Sequence, residues 1–130
     1  MEAGLYLESI KLALVSSPIV RDIVIIRERG LPDQGFFRAR LTLQNGDFVE
    51  VTEYFVVETG SVHTVEYRYQ WMDAMQQSLR KRWDNAEHHR SLSSFPHHVH
   101  IGREDHVEPG QLLSIADLIS IIESEMVDPS

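Results

Sequence analysis

The stretch GFFRARLTLQNGDFVEVTEYFVV, residues 35–57, decides the architecture. In its first half Phe37, Ala39, Leu41 and Leu43 alternate with Phe36, Arg38, Arg40 and Thr42. In its second half Val49, Val51, Phe55 and Val57 share one face. Strict period two is the signature of half-buried strands, because successive side chains of a strand point to opposite faces. Between the halves stands Asn45-Gly46, whose two residues tolerate positive φ and so predict a type I′ hairpin. The stretch reads as an antiparallel strand pair.

The pattern continues outward. Gly60-Ser61 marks a second turn, and from Val62 to Trp71 the residues Val65, Tyr67, Tyr69 and Trp71 oppose Glu66, Arg68 and Gln70. Leu79 to Asp84 adds a short strand, and the Val- and Ile-rich run Ile19 to Glu28 supplies one upstream, before a loop at Gly30-Leu31-Pro32-Asp33. Five consecutive strands with short turns make a meander. A helix from about Tyr6 to Ser16 precedes it, with Leu5, Leu7, Ile10, Leu12, Leu14 and Val15 as a broad apolar face, ended by Ser17-Pro18. A second helix follows Ser114 as N-cap, with Asp117 in its first turn and the stripe Ile115, Leu118, Ile119, Ile122. The expected fold is α+β: N-terminal helix, five-stranded antiparallel meander, His-rich loop region, and C-terminal helix packed on the sheet. It forms one domain over residues 1–130.

Composition narrows the function classes. There is no cysteine, which excludes disulfides, thiolate catalysis and cysteine-ligated metals. No apolar run approaches the ~18 residues of a membrane span, and the N-terminus lacks a basic signal-peptide region. The expectation is a soluble, cytoplasmic protein. Of the twenty acidic residues behind the net charge of −8, seven lie after Arg103, where there is no Lys or Arg. Residues 1–103 hold twelve basic and thirteen acidic residues, a near balance that neither repels nor strongly steers a polyanion.

Between Asn85 and Leu113 no long strand or helix is legible, yet this segment holds six of the seven histidines: His88, His89, His97, His98, His100 and His106. Structureless segments of this length in compact domains are usually functional or disordered. Histidine either ligates a transition metal or moves protons near neutral pH. In extended chain His98 and His100 point the same way and can close on one divalent metal, with His88, His89 or Asp84 as further ligand and His97 facing away. The same groups can instead act as general acid and base on a phosphodiester, with Arg80 or Arg82 holding the phosphate. Structural histidines capping loops are the plainer alternative. His106 follows the second cluster at no useful spacing.

Two further features stand out. Glu53 shares the apolar face of its strand, so it either pairs with an arginine such as Arg38 or Arg40, lines a cleft, or is turned outward by a bulge. Tyr67, Tyr69 and Trp71 form an aromatic ladder that fits a buried sheet face, with the Tyr67 and Tyr69 hydroxyls as candidate substrate contacts.

Arg82-Trp83-Asp84-Asn85-Ala86-Glu87-His88-His89, followed by Ser94-Phe95-Pro96-His97-His98-Val99-His100, resembles the TumE-like toxins of prokaryotic toxin–antitoxin operons. Gly46 to Tyr54, with Glu50 and Glu53, and Tyr67-Arg68-Tyr69-Gln70-Trp71 extend the likeness over most of the chain. It implies a toxin encoded beside a DNA-binding antitoxin. Where family members often carry proline after the Asp-Asn pair, this chain has Glu87 close by, which favours protonated histidine or a bound cation and works against a phosphate. The leading expectation is a ribonuclease-like toxin with His88, His89, His98, His100, Asp84 and Glu53 as catalytic or metal groups. RNA is then a partner, no membrane is involved, and homo-oligomerisation is open. The competing expectation is a non-catalytic interaction module, with a packed or metal-bound histidine loop and an acidic C-terminal helix that docks a basic partner.

Overall fold

A computed structural model describes residues 1–127. Its elements run α1 (Ala3–Ser16), β1 (Val20–Leu31), β2 (Gln34–Leu43), β3 (Phe48–Glu58), β4 (Ser61–Met72), β5 (Leu79–Asp84), β6 (His98–Ile101), β7 (Val107–Pro109) and α2 (Ile115–Val127). The strands form one antiparallel sheet in chain order, each paired with its sequence neighbour. The α+β class and the flanking helices match the sequence reading, but the sheet has seven strands rather than five. The two extra strands lie inside the segment expected to be loop. At four and three residues they are too short to show a period, and the free edge of β5 supplies their pairing.

Two turns also differ from expectation. β1 runs through Gly30 to Leu31, leaving only Pro32 and Asp33 as the turn. At Asn45-Gly46 only Gly46 takes positive φ (+91°). Its N–H bonds the Leu43 carbonyl at 2.9 Å, so the turn spans Leu43–Gly46 and is not type I′.

Alternation sorts the sheet into two faces. Phe37, Ala39, Leu41, Leu43, Val49, Val51, Phe55, Tyr67, Tyr69, Trp71, Trp83 and Val99 are buried on the face that carries both helices. α1 contributes Ala3, Leu7, Ile10 and Leu14, a stripe at helical spacing, while Leu5, Leu12 and Val15 stay exposed. From α2 the stripe Ile115, Leu118, Ile119 and Ile122 is consumed by the core, so it is not free to dock a partner. The other sheet face carries no helix and presents Phe36, Thr52, Tyr54, Arg68, Arg82, Asp84, His98 and His100.

The helix face is closely packed where β2 meets β3. A Cβ on Gly35 would lie 2.3 Å from Phe55 Cζ and 2.9 Å from the Arg29 carbonyl oxygen. Phe55 is fully buried and in edge contact with Tyr6, so it cannot yield freely. Gly35→Ala is therefore expected to destabilise the protein by about 1–3 kcal/mol, as overpacking does. A lowered urea midpoint with unchanged m-value checks this.

Candidate functional site

Strand register assembles the site on the open face. Asp84 at the end of β5 lies opposite His98 of β6 and Arg68 of β4, and Arg82 lies opposite His100 and Gln70. The connection between β5 and β6 reverses at His89, which takes the left-handed conformation at φ +58°. Its ring then lies 5.0 Å from that of His98 and 5.8 Å from that of His100, centroid to centroid. One ligating nitrogen from each of His89, His98 and His100 lies within 4.8 Å of the others. His98 and His100 are buried and His89 is exposed.

Hydrogen bonds fix the two buried rings. His98 Nδ1 donates to the Pro96 carbonyl at 2.9 Å, and His100 Nδ1 donates to the Glu104 carbonyl at 2.8 Å. Arg82 Nη2, which can only donate, lies 3.1 Å from His100 Nε2. Nδ1 is thus the donor nitrogen of both rings, and in the neutral form of each Nε2 carries the lone pair and points into the cluster. Burial, with the Arg82 charge beside it, pushes the His100 imidazole below its ordinary pKa.

Asp84 is the anion of the cluster. Its Oδ1 accepts the Ala86 N–H at 3.0 Å, and its Oδ2 is 3.2 Å from Arg82 Nε and 3.8 Å from His100 Nε2. Oδ1 is also 2.8 Å from His98 Nε2, yet the two are not aligned as a hydrogen bond. Among the described residues that buried nitrogen has no hydrogen-bond partner. Arg82 ties the group to Glu104 as well.

The cluster borders a cleft of about 800 Å³ whose far wall includes Phe36, Thr52, Tyr54, Glu66 and Arg68. A smaller hollow of about 290 Å³ shares Phe36 and Tyr54 with it and adds Arg27 and Arg29 of β1. Together they form one groove across the open face, with histidines at one end, two aromatic rings in the middle and two arginines at the other.

The remaining candidates from the sequence fall elsewhere. His88 lines the cleft but lies outside the group of three converging nitrogens. Glu53 is fully buried on the helix face, away from the histidines. It accepts hydrogen bonds from Tyr6 Oη (2.6 Å), Thr64 Oγ1 (3.0 Å) and the Ile115 N–H (3.1 Å), and Tyr69 Oη lies 3.4 Å away. Its expected arginine partners, Arg38 and Arg40, pair instead with Glu50 on the opposite face. Tyr67 and Tyr69 donate to the Gln111 and Leu113 carbonyls inside the core, which takes their hydroxyls away from substrate. Arg80 belongs to a separate pair with buried Asp47, at 2.6 Å. His97 faces the helix side, stacked on Tyr67 and 2.9 Å from its hydroxyl.

Phe36, Thr52, Tyr54 and Arg68 were not singled out in the sequence. Their signal was available: two large aromatics, Phe36 and Tyr54, stand on the otherwise polar phase of the β2 and β3 alternation.

Residues 10–128 match the family model described as toxin TumE, and that span contains the whole cluster. The chain belongs to the TumE toxin family. It is thereby a toxin of a toxin–antitoxin system, and an antitoxin partner goes with it. No curated protein and no solved structure matches it. No helix of this TumE-family chain is long and apolar enough to cross a membrane, among the described residues.

Proposed function

We propose that this TumE-family toxin binds single-stranded RNA along the open sheet face and cleaves its phosphodiester backbone at the histidine cluster. The observation that carries the reading is the convergence of His89, His98, His100 and Asp84 at one end of a groove that also offers Phe36, Tyr54 and exposed arginines. Aromatic faces stack bases irrespective of sequence, and arginines track the backbone. A double helix presents no free base faces to such rings, which favours a single strand.

The chemistry follows from the groups present. Cleavage next to a ribose needs one group to take the proton from the 2′-hydroxyl as its oxygen attacks phosphorus. A second group protonates the departing 5′-oxygen. One imidazole that enters with its inward Nε2 unprotonated can take the 2′-hydroxyl proton, and a second that enters protonated beside the Asp84 carboxylate can give its proton to the 5′-oxygen, while Arg68 can face the phosphate oxygens.

The test is incubation of the purified toxin with end-labelled single-stranded RNA. Cleavage is expected, and the Phe36→Ala/Tyr54→Ala double variant should raise KM about 10-fold or more, since each stacked base contributes about 1–3 kcal/mol. A preparation that arrests growth but leaves single-stranded RNA intact overturns the reading.

A further inference from the structure

We infer that His89, His98 and His100 form a binding site for one divalent transition-metal ion of the zinc class. The claim that an ion binds stands apart from the RNA reading, whereas any part it takes in cleavage rests on that reading: with the ion bound, the Nε2 lone pairs are on the metal, and the proton-transfer role given above to His98 and His100 applies to the ion-free cluster.

Three observations lead to it. The first is His98 Nε2. With Nδ1 committed to the Pro96 carbonyl, Nε2 faces Asp84 Oδ1 at 2.8 Å outside hydrogen-bond alignment and has no hydrogen-bond partner among the described residues. An unpartnered buried polar atom is costly, and wherever this nitrogen carries no proton the two acceptors repel unless another positive charge lies between or beside them. A cation reached by both relieves this.

The second is the donor set. Three imidazoles from two elements converge, two of them oriented by backbone carbonyls through their other nitrogen, the arrangement that orients metal-ligating histidine. Imidazole ligands with a carboxylate nearby suit zinc and its first-row neighbours, and three protein ligands leave a fourth position open. Bound nitrogens at about 2.0–2.1 Å from a tetrahedral ion sit about 3.3 Å apart, inside the 4.8 Å within which these nitrogens already lie. His98 and His100 are held in β6, while exposed His89 is free to close the distance. The Arg82 bond to His100 Nε2 yields to the ion, and the guanidinium keeps Asp84 and Glu104.

The third is charge. Leaving the histidines out of the count, the lining of the larger cleft carries Arg68 and Arg82 against Glu66, Asp84 and Glu87, one net negative charge that favours a cation. A dication reverses that sign.

The experiment uses the full chain, stripped with a chelator and dialysed, then titrated with Zn(II) by calorimetry and with Co(II) by visible absorption. One ion per chain is expected, with Co(II) bands of a tetrahedral site. His89→Ala, an exposed substitution that leaves the sheet intact, should weaken Zn(II) binding at least 10-fold, while His97→Ala binds like the parent. Absence of stoichiometric binding, or equal affinity in the His89→Ala protein, overturns the site. Binding without RNA cleavage leaves the site standing and removes the RNA reading. Cleavage by a protein that binds no ion does the reverse.

Discussion

Expression of the His98→Ala/His100→Ala double variant is expected to leave growth uninhibited, and the purified variant should cleave RNA 10²- to 10⁴-fold more slowly. That range is what loss of positioned proton-transfer groups costs. The two residues present the inward-facing Nε2 atoms of the cluster, so both lone pairs leave the cleft together. Both rings are buried, and a misfolded variant would also be inactive. Circular dichroism and urea unfolding of the double variant, and a parallel assay of exposed His89→Ala, separate these causes. Retained toxicity in a folded double variant would remove the cluster from the mechanism.

The second large effect lies on the opposite face. Glu53→Ala should destabilise the protein by about 3–5 kcal/mol, a large share of the 5–15 kcal/mol typical of a domain. The carboxylate accepts from Tyr6, Thr64 and the Ile115 N–H, and each buried donor left without an acceptor costs about 1–3 kcal/mol. Glu53→Gln, which keeps shape and lets the Tyr6 and Thr64 hydroxyls turn to accept from its amide, should cost only about 1 kcal/mol. Burial raises the Glu53 pKa above its ordinary 4.5, and the polar groups around the carboxylate offset only part of that rise. Between 4.5 and the raised value the folded state binds more protons than the unfolded one. Stability from this group is therefore present at low pH and falls as pH climbs through that window. Tyr6 and Tyr69 are held above the usual phenol range by burial and by the adjacent carboxylate, so they remain donors throughout. Urea unfolding across that window should show the slope in the parent and its loss in Glu53→Gln.

Glu53 illustrates what was legible in the sequence. Its position on an apolar phase marked it as an anomaly, but the partners that satisfy it stand 47 and 62 residues away, at Tyr6 and Ile115. Their approach depends on how two helices cover the sheet, which no local pattern encodes. The bulge between Tyr54 and Phe55 on one side and β4 on the other also turns Thr64 toward the carboxylate. The central strands were readable because β2, β3 and β4 are each ten residues or longer and bury one face. At the candidate site, the common face of His98 and His100 followed from their spacing alone. That Asp84 stands opposite His98 depends on the β5–β6 register, and that His89 rather than His88 completes the group depends on one left-handed residue. The Tyr67, Tyr69 and Trp71 ladder lies on the buried face that its alternation fits, whereas Phe36 and Tyr54 stand on the polar phase, and only the helices decide which face is covered.

Sheet order that equals chain order also governs how the protein is made. As each strand leaves the ribosome its partner is already present, so the sheet can grow by local pairing. α2 follows every strand in the chain, and with it the Ile115 N–H for Glu53. During synthesis the face bearing the histidines is thus assembled while the apolar face behind it still waits for its second helix, which makes α2 the closing piece of the newborn toxin.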